Sequence, residues 1–172
     1  RDFCLSRGLG DVYKRQWKHG RLGRPWLQGE TLLAGIGQGY VLANPLQLAI
    51  MTARAATGLM VEPTIVRPAD TDGRPEPEPI PFEAGSVEVV RRGLLAAVNG
   101  DGGTGSAARL DRSDGQLAGK TGTSQVKRFS AATKWSERDH SLFVGYAPAS
   151  RPRFAVAAVV EHAGIEGAGP HG

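Results

Sequence analysis

The stretch QLAGKTGTSQV, residues 116–126, can be read in two registers, and the choice decides the fold. Gly119-Lys120-Thr121 is the tail of a phosphate-binding loop. One step further on, Lys120-Thr121-Gly122-Thr123 is a cation and two hydroxyls strung along an extended segment. A phosphate loop needs a glycine five residues before Gly119, so that successive N–H groups wrap the phosphates. That position is Asp114, and Gly115 is one residue too near. The lysine of such a loop also opens a helix whose N-terminus faces the phosphates. Here TGTSQV follows, with β-branched residues and a glycine, which suits a strand. The strand register is the better reading.

On a strand, Lys120 points one way and Thr121 the other, and Thr121 and Thr123 share a face. Gly122 removes a side chain, so a ligand backbone can come close. An edge strand can also take an extended peptide as an extra strand. A backbone N–H beside Gly122 can then stabilise a developing oxyanion.

Working outward, HSLFVGYAP and RFAVAAVVEH read as two more strands, with Pro148 and Pro152 flanking a hairpin-like connection. Residues 127–139 join the first two strands as a longer polar loop. Upstream, Asn44 is a plausible N-cap, Pro45 suits a first helical position, and LQLAIMTARAAT follows with Leu46, Ala49, Ile50 and Ala53 at helical spacing. Gly58 is a natural stop. A second helix is expected over Ser86–Val98, with Ser86 as cap and Val87, Val90, Leu94 and Ala97 on one face. Residues 67–83 carry five of the eleven prolines and read as an exposed loop. Residues 17–43 are dense in glycine and read as folded loop. Helices followed by successive strands predict an α+β fold, an antiparallel sheet with flanking helices.

Composition narrows the function. The chain has 172 residues and a net charge of +4. Residues 1–16, RDFCLSRGLGDVYKRQ, supply +2 of that charge and show no period. This stretch resembles a translated adapter remnant and is set aside, leaving 17–172 as the part with a fold. The remainder shows no Lys/Arg stripe interleaved with aromatics, so no nucleic-acid partner is expected. The single cysteine, Cys4, excludes a disulfide or thiolate zinc site within the chain. His19, His140, His162 and His171 are scattered, and no metal or other cofactor is expected. No apolar run reaches the roughly 18 residues of a membrane span. GDGGTG, Gly100–Gly105, fits a dinucleotide fingerprint in letters only, because a helix and not a strand precedes it; a flexible turn is the plainer reading.

Taken in order, GETLLAGIGQGYVLANPLQLAIMTARAATG (29–58), GTG (103–105), AGKTGTSQV (118–126), RDHSLFVGYAP (138–148) and RFAVAAVVEH (153–162) closely resemble the transpeptidase domain of class B penicillin-binding proteins. GIGQGYVLANPLQLA is most similar to their elongation-specific branch, penicillin-binding protein 2. The resemblance implies a five-stranded antiparallel sheet flanked by helices. It also implies a serine that is acylated by the D-Ala-D-Ala stem peptide or by β-lactam antibiotics, with transfer to a second stem peptide. Lys120 would supply positive potential, the Thr121 and Thr123 hydroxyls would hold the carboxylate, Gly122 would admit the ligand, and the Thr123 N–H would be an oxyanion donor. The parent is expected to be anchored in the inner membrane with a periplasmic catalytic domain, and to work with a glycosyltransferase of the elongation machinery. The family's Ser-x-x-Lys and Ser-x-Asn boxes precede the GIGQGY region and are not found there, so the chain is expected to be a fragment. Ser124-x-x-Lys127 matches the first box in letters, but i and i+3 face opposite sides of a strand. A D,D-carboxypeptidase, or a non-catalytic sensor or binding module on the same fold, stays open beside the transpeptidase.

Overall fold

The computed structural model describes residues 15–39, 43–65, 76–111, 115–126 and 134–163. Two units are distinguished, residues 1–44 and 45–172. In the first unit, the loop expected over 17–43 is instead two short helices, α1 (Arg15–Leu22) and α2 (Gln28–Gly35). α1 takes in the last two residues of the stretch set aside. The dense glycines hid this pattern. Gly23 and Gly37, at φ +62° and +76°, do not interrupt these helices; they follow their ends. What holds the helices is polar. The buried Lys18 ammonium donates to Glu30 Oε1 and to the Pro25 carbonyl, while Glu30 Oε2 accepts from the Leu27 N–H at the start of α2. These pairs have no periodicity for a sequence reading to find. Tyr40, Val41 and Leu42, within the GIGQGYVLANPLQLA stretch, lie outside the described residues.

The second unit is α+β as expected. α3 (Pro45–Thr57) begins at the proline and stops at Gly58, whose N–H donates to the Arg54 carbonyl and whose φ is +72°. Of the expected face, Ala49, Ile50 and Ala53 are half-buried, but the inward direction is turned toward the next positions. Thr52 and Ala56 are buried, whereas Leu46 is 49% exposed. Thr52 tolerates burial because its hydroxyl donates back to the Leu48 carbonyl. α4 (Ala84–Asn99) begins two residues earlier than expected, with Glu83 and not Ser86 at the cap position. Val90 is exposed, and Arg91 takes an inward place because its Nε donates to the Ala55 carbonyl. A charged residue that buries its stem is read as surface in a hydrophobic pattern, which explains the miss. Part of the proline-rich loop lies outside the described residues. The rest pairs with the end of α3, where Met60 N–H donates to Glu78 C=O and Ile80 N–H to Gly58 C=O.

The three expected strands are present: β1 (Ala118–Ser124), β2 (His140–Ala147) and β3 (Phe154–Val160). They form an antiparallel sheet in the order β1-β2-β3. The resemblance implies five strands, of which three are among the described residues. Trp135–Glu137 adds a 3-10 turn to the expected loop before β2. α3 packs on β2 and β3, and α4 on β1. The core is built where Ala118 and Tyr146 pair across β1 and β2, covered by Ala56 of α3 and by Leu94 and Leu95 of α4. Burial pushes the Tyr146 phenol above its ordinary value.

Candidate active-site wall

β1 pairs with β2 on one side, and no other strand among the described residues lies on its second side. The register runs without a bulge from Ala118 opposite Tyr146 to Ser124 opposite His140. In an antiparallel pair, residues alternate between those whose N–H and C=O face the partner strand and those that face away. Carbonyl directions fix the phase. The Ala118 oxygen turns toward β2, 3.1 Å from where a Cβ on Gly145 would sit, and the Val144 oxygen turns toward β1, while the Leu117 carbonyl accepts from the Asn99 side chain of α4. Counting on, Gly119, Thr121 and Thr123 turn their backbone N–H and C=O groups away from β2. The Thr123 N–H therefore lies on the strand's outward edge, the orientation an oxyanion donor needs.

The four residues singled out in the sequence all lie on this strand, and Lys120 and Thr121 come together more closely than alternation suggests. Lys120 Nζ lies 2.9 Å from the Thr121 carbonyl oxygen and 3.2 Å from Thr121 Oγ1. Their Cβ atoms do start on opposite faces. The long lysine stem bends around the outward edge and brings its ammonium back to the threonine. Lys120, Gly122 and Thr123 are exposed.

One further hydroxyl lies beside this pair, from the GTG stretch, where the sequence singled out no side chain. Thr104 Oγ1 is 3.2 Å from Thr121 Oγ1 and 3.4 Å from Lys120 Nζ. It sits in GDGGTG, expected to be a flexible turn. That turn is closely seated. A Cβ on Gly103 would lie 2.5 Å from the Ala97 carbonyl oxygen, and Gly105 N–H donates to that same oxygen at 2.8 Å. The available signal was the pair of glycines around a single hydroxyl, at the end of a helix.

Gly119 has a packing role. The Phe143 ring lies over it, and a Cβ there would come within 2.6 Å of the ring and of the Val144 carbonyl oxygen. Gly145, paired with Gly119, meets the same ring, and Gly105 lies beside it. Lys120 lies inside β1 and opens no helix, so the phosphate-loop register is excluded. GDGGTG follows α4 and leads into a 3-10 turn, Ser106–Ala108, which is not the strand-to-helix setting of a dinucleotide site. Ser124 ends β1, while Lys127 lies outside the described residues. Among the described residues, no three His, Cys, Asp or Glu side chains are grouped to hold a metal ion, and no helix is long and apolar enough to cross a membrane.

Comparison with known proteins gives a consistent result. The family model described as penicillin binding protein transpeptidase domain matches residues 10–171. The peptidoglycan D,D-transpeptidase MrdA of Haemophilus influenzae is 35% identical over 169 residues, covering 90% of this chain and 26% of that protein. MrdA of Escherichia coli K12 is 32% identical over 176 residues, covering 94% and 27%. Among solved structures, penicillin-binding protein PBP2 of Helicobacter pylori, in complex with MreC, superposes with a TM-score of 0.71 at 30% identity, covering 88% of this chain and 27% of that one. Pseudomonas aeruginosa PBP2 in complex with WCK 5153 gives 0.63 at 34% identity, covering 88% and 32%. The chain spans about a quarter of the length of the MrdA relatives. Matched along nearly all its residues and sharing their fold of helices on an antiparallel sheet, it belongs to the penicillin-binding protein transpeptidase family.

Proposed function

We propose that this chain forms the carboxylate-binding wall of a peptidoglycan D,D-transpeptidase, within a longer protein whose nucleophilic serine lies elsewhere. The observation that carries the reading is the ammonium of Lys120 gathered with the Thr121 hydroxyl at the outward edge of β1. A stem peptide ending in D-Ala-D-Ala lies along that edge as an added strand. Lys120 supplies the positive potential that draws its terminal carboxylate, the Thr121 and Thr123 hydroxyls bind that carboxylate, and Gly122 leaves room for the peptide backbone. The Thr123 N–H donates to the oxygen that gains charge when the serine attacks the scissile carbonyl. Cleavage of the scissile amide releases the terminal D-Ala and leaves a serine ester; the amine of a second stem peptide then attacks that ester, forming the cross-linking amide and returning the serine hydroxyl. A β-lactam carries a carboxylate and a reactive carbonyl in the same relation and enters by the same contacts. The parent is anchored in the inner membrane and acts beside a glycosyltransferase of the elongation machinery. The names of the relatives favour transfer over simple hydrolysis.

The test is Lys120→Ala in the complete protein that carries this segment. Preorganised charge aimed at a transition state is worth roughly 2–4 kcal/mol, by analogy with an oxyanion-hole donor. An exposed strand lysine contributes within about 0.5 kcal/mol to folding. The second-order acylation rate with a β-lactam is expected to fall steeply while the melting temperature holds. Acylation at the wild-type rate would make β1 merely structural.

A further inference from the structure

The ammonium of Lys120 has three N–H donors, and three oxygens surround it: the Thr121 carbonyl, Thr121 Oγ1 and Thr104 Oγ1. Only the last comes from outside β1. Its position is set by packing that has nothing to do with a flexible loop. Asn99, the last residue of α4, ties that helix to β1 through the Leu117 carbonyl. Arg109 donates to the Val98 and Asn99 carbonyls at the same helix end. The turn then folds back onto α4, with Gly102 at φ +71° and with Gly103 and Gly105 too close to the Ala97 carbonyl oxygen to carry a side chain without displacement. The one residue between those two glycines is Thr104.

We propose that Thr104 is a positioning residue for the Lys120–Thr121 pair, an inference that rests on the function proposed above. A hydroxyl can accept and donate at once, and its proton rotates to suit its partners. Thr104 Oγ1 accepts an N–H from Lys120 and the O–H of Thr121. When a ligand carboxylate binds, the Thr121 proton turns to it and the Thr104 hydroxyl donates to Thr121 Oγ1 in its place. The ammonium polarises the two hydroxyls in series, which strengthens the outermost bond. Without the Thr104 hydroxyl, the flexible lysine stem has no hold outside its own strand among the described residues, and the Thr121 proton is no longer directed to the ligand. The ligand class is a carboxylate-terminated peptide or its β-lactam mimic.

The experiment compares Thr104→Val, Thr104→Ser, Lys120→Ala and the Thr104→Val/Lys120→Ala double variant in the complete protein, by second-order acylation with a carboxylate-bearing β-lactam and by melting temperature. Loss of a hydrogen bond to a charged group predicts about a tenfold slower acylation for Thr104→Val, with Ser restoring the rate to within about twofold. In the Lys120→Ala background Thr104→Val should add much less than its full loss, because the ammonium that polarises the two hydroxyls is gone and only the direct bond to Thr121 remains. A wild-type rate in Thr104→Val, or a full additional loss in the double variant, overturns the inference while leaving the Lys120 reading intact. A wild-type rate in Lys120→Ala overturns the site reading itself, and this inference with it. If valine lowers the melting temperature, serine decides: a Ser variant that stays as slow as Val defeats the proposal, and recovery supports it.

Discussion

At the scale of single residues, Lys120 and its neighbours make separable predictions. Arg at position 120 keeps the charge but has a wider, planar head, so Lys120→Arg should restore part of the acylation lost in the alanine variant. Thr123→Val should slow acylation less than Lys120→Ala does, because the hydroxyl is lost and the backbone N–H survives. Rates for the three variants in the complete protein check the order. Glu30 offers a test that needs no ligand. The hydrogen bond from Lys18, supported by the Leu27 N–H, holds its carboxyl below the ordinary value of 4.5. The folded value lies below the unfolded one, so the stability Glu30 contributes is complete above the unfolded value and is lost as pH falls through the lower, folded value. Carboxyl NMR should show Glu30 titrating below the ordinary value, and rising toward it in Lys18→Met. No change in that variant would remove Lys18 as the cause.

At the scale of elements, two glycines of β1 do different work. A methyl group on Gly119 meets the Phe143 ring and the Val144 carbonyl oxygen at 2.6 Å, and neither can move without disturbing β2. Gly119→Ala should cost about 1–3 kcal/mol in stability, the usual cost of forcing volume into a packed site. A methyl on Gly122 finds only Leu142 Cβ, at 3.6 Å, an ordinary contact. Gly122→Ala should stay within about 0.5 kcal/mol in stability, yet slow acylation by narrowing the ligand's approach. Denaturant melts and acylation rates of both variants check this crossing of effects. Equal losses of stability would mean that the strand's packing has been misassigned. β2 and β3 were legible because β-branched and aromatic residues run up to Pro148 and on from Pro152, whereas β1 rested on Thr121 and Thr123 alone. The inward faces of α3 and α4 were less so, since Thr52 and Arg91 turn inward by satisfying their polar atoms on carbonyls of α3.

At the scale of the whole chain, the expected outcome concerns covalent chemistry. The only Ser-x-x-Lys in the sequence is Ser124–Lys127, and Ser124 ends β1 with neither Gln125 nor Val126 helical, so the helical turn that sets i beside i+3 is not formed there. The 172-residue chain should therefore form no covalent adduct with fluorescent penicillin. A labelled band that survives denaturation would contradict this and point to Ser124. β3 bears on handling the chain in that assay. Phe154, Val156 and Val160 alternate onto one face of the strand and are 70%, 47% and 57% exposed. A face of that kind favours association, so the solution size belongs with the labelling result.

Taken alone, the sequence determined the kind of surface this protein carries. Lys120, Thr121, Gly122 and Thr123 are adjacent in the chain, and strand geometry follows from local chemistry, so a cation, two hydroxyls and a gap along one edge could be read from the letters. Tertiary structure decided what lies beside them. Thr104 is 16 residues from Lys120, and only the docking of α4 on β1, with the glycine turn folded back on the helix, brings its hydroxyl to the ammonium. The same holds for Lys18 and Glu30, 12 residues apart, which turn an apparent loop into two held helices. Contacts of this kind leave no period in a sequence, because each rests on one polar atom meeting another across a turn whose path is set by packing.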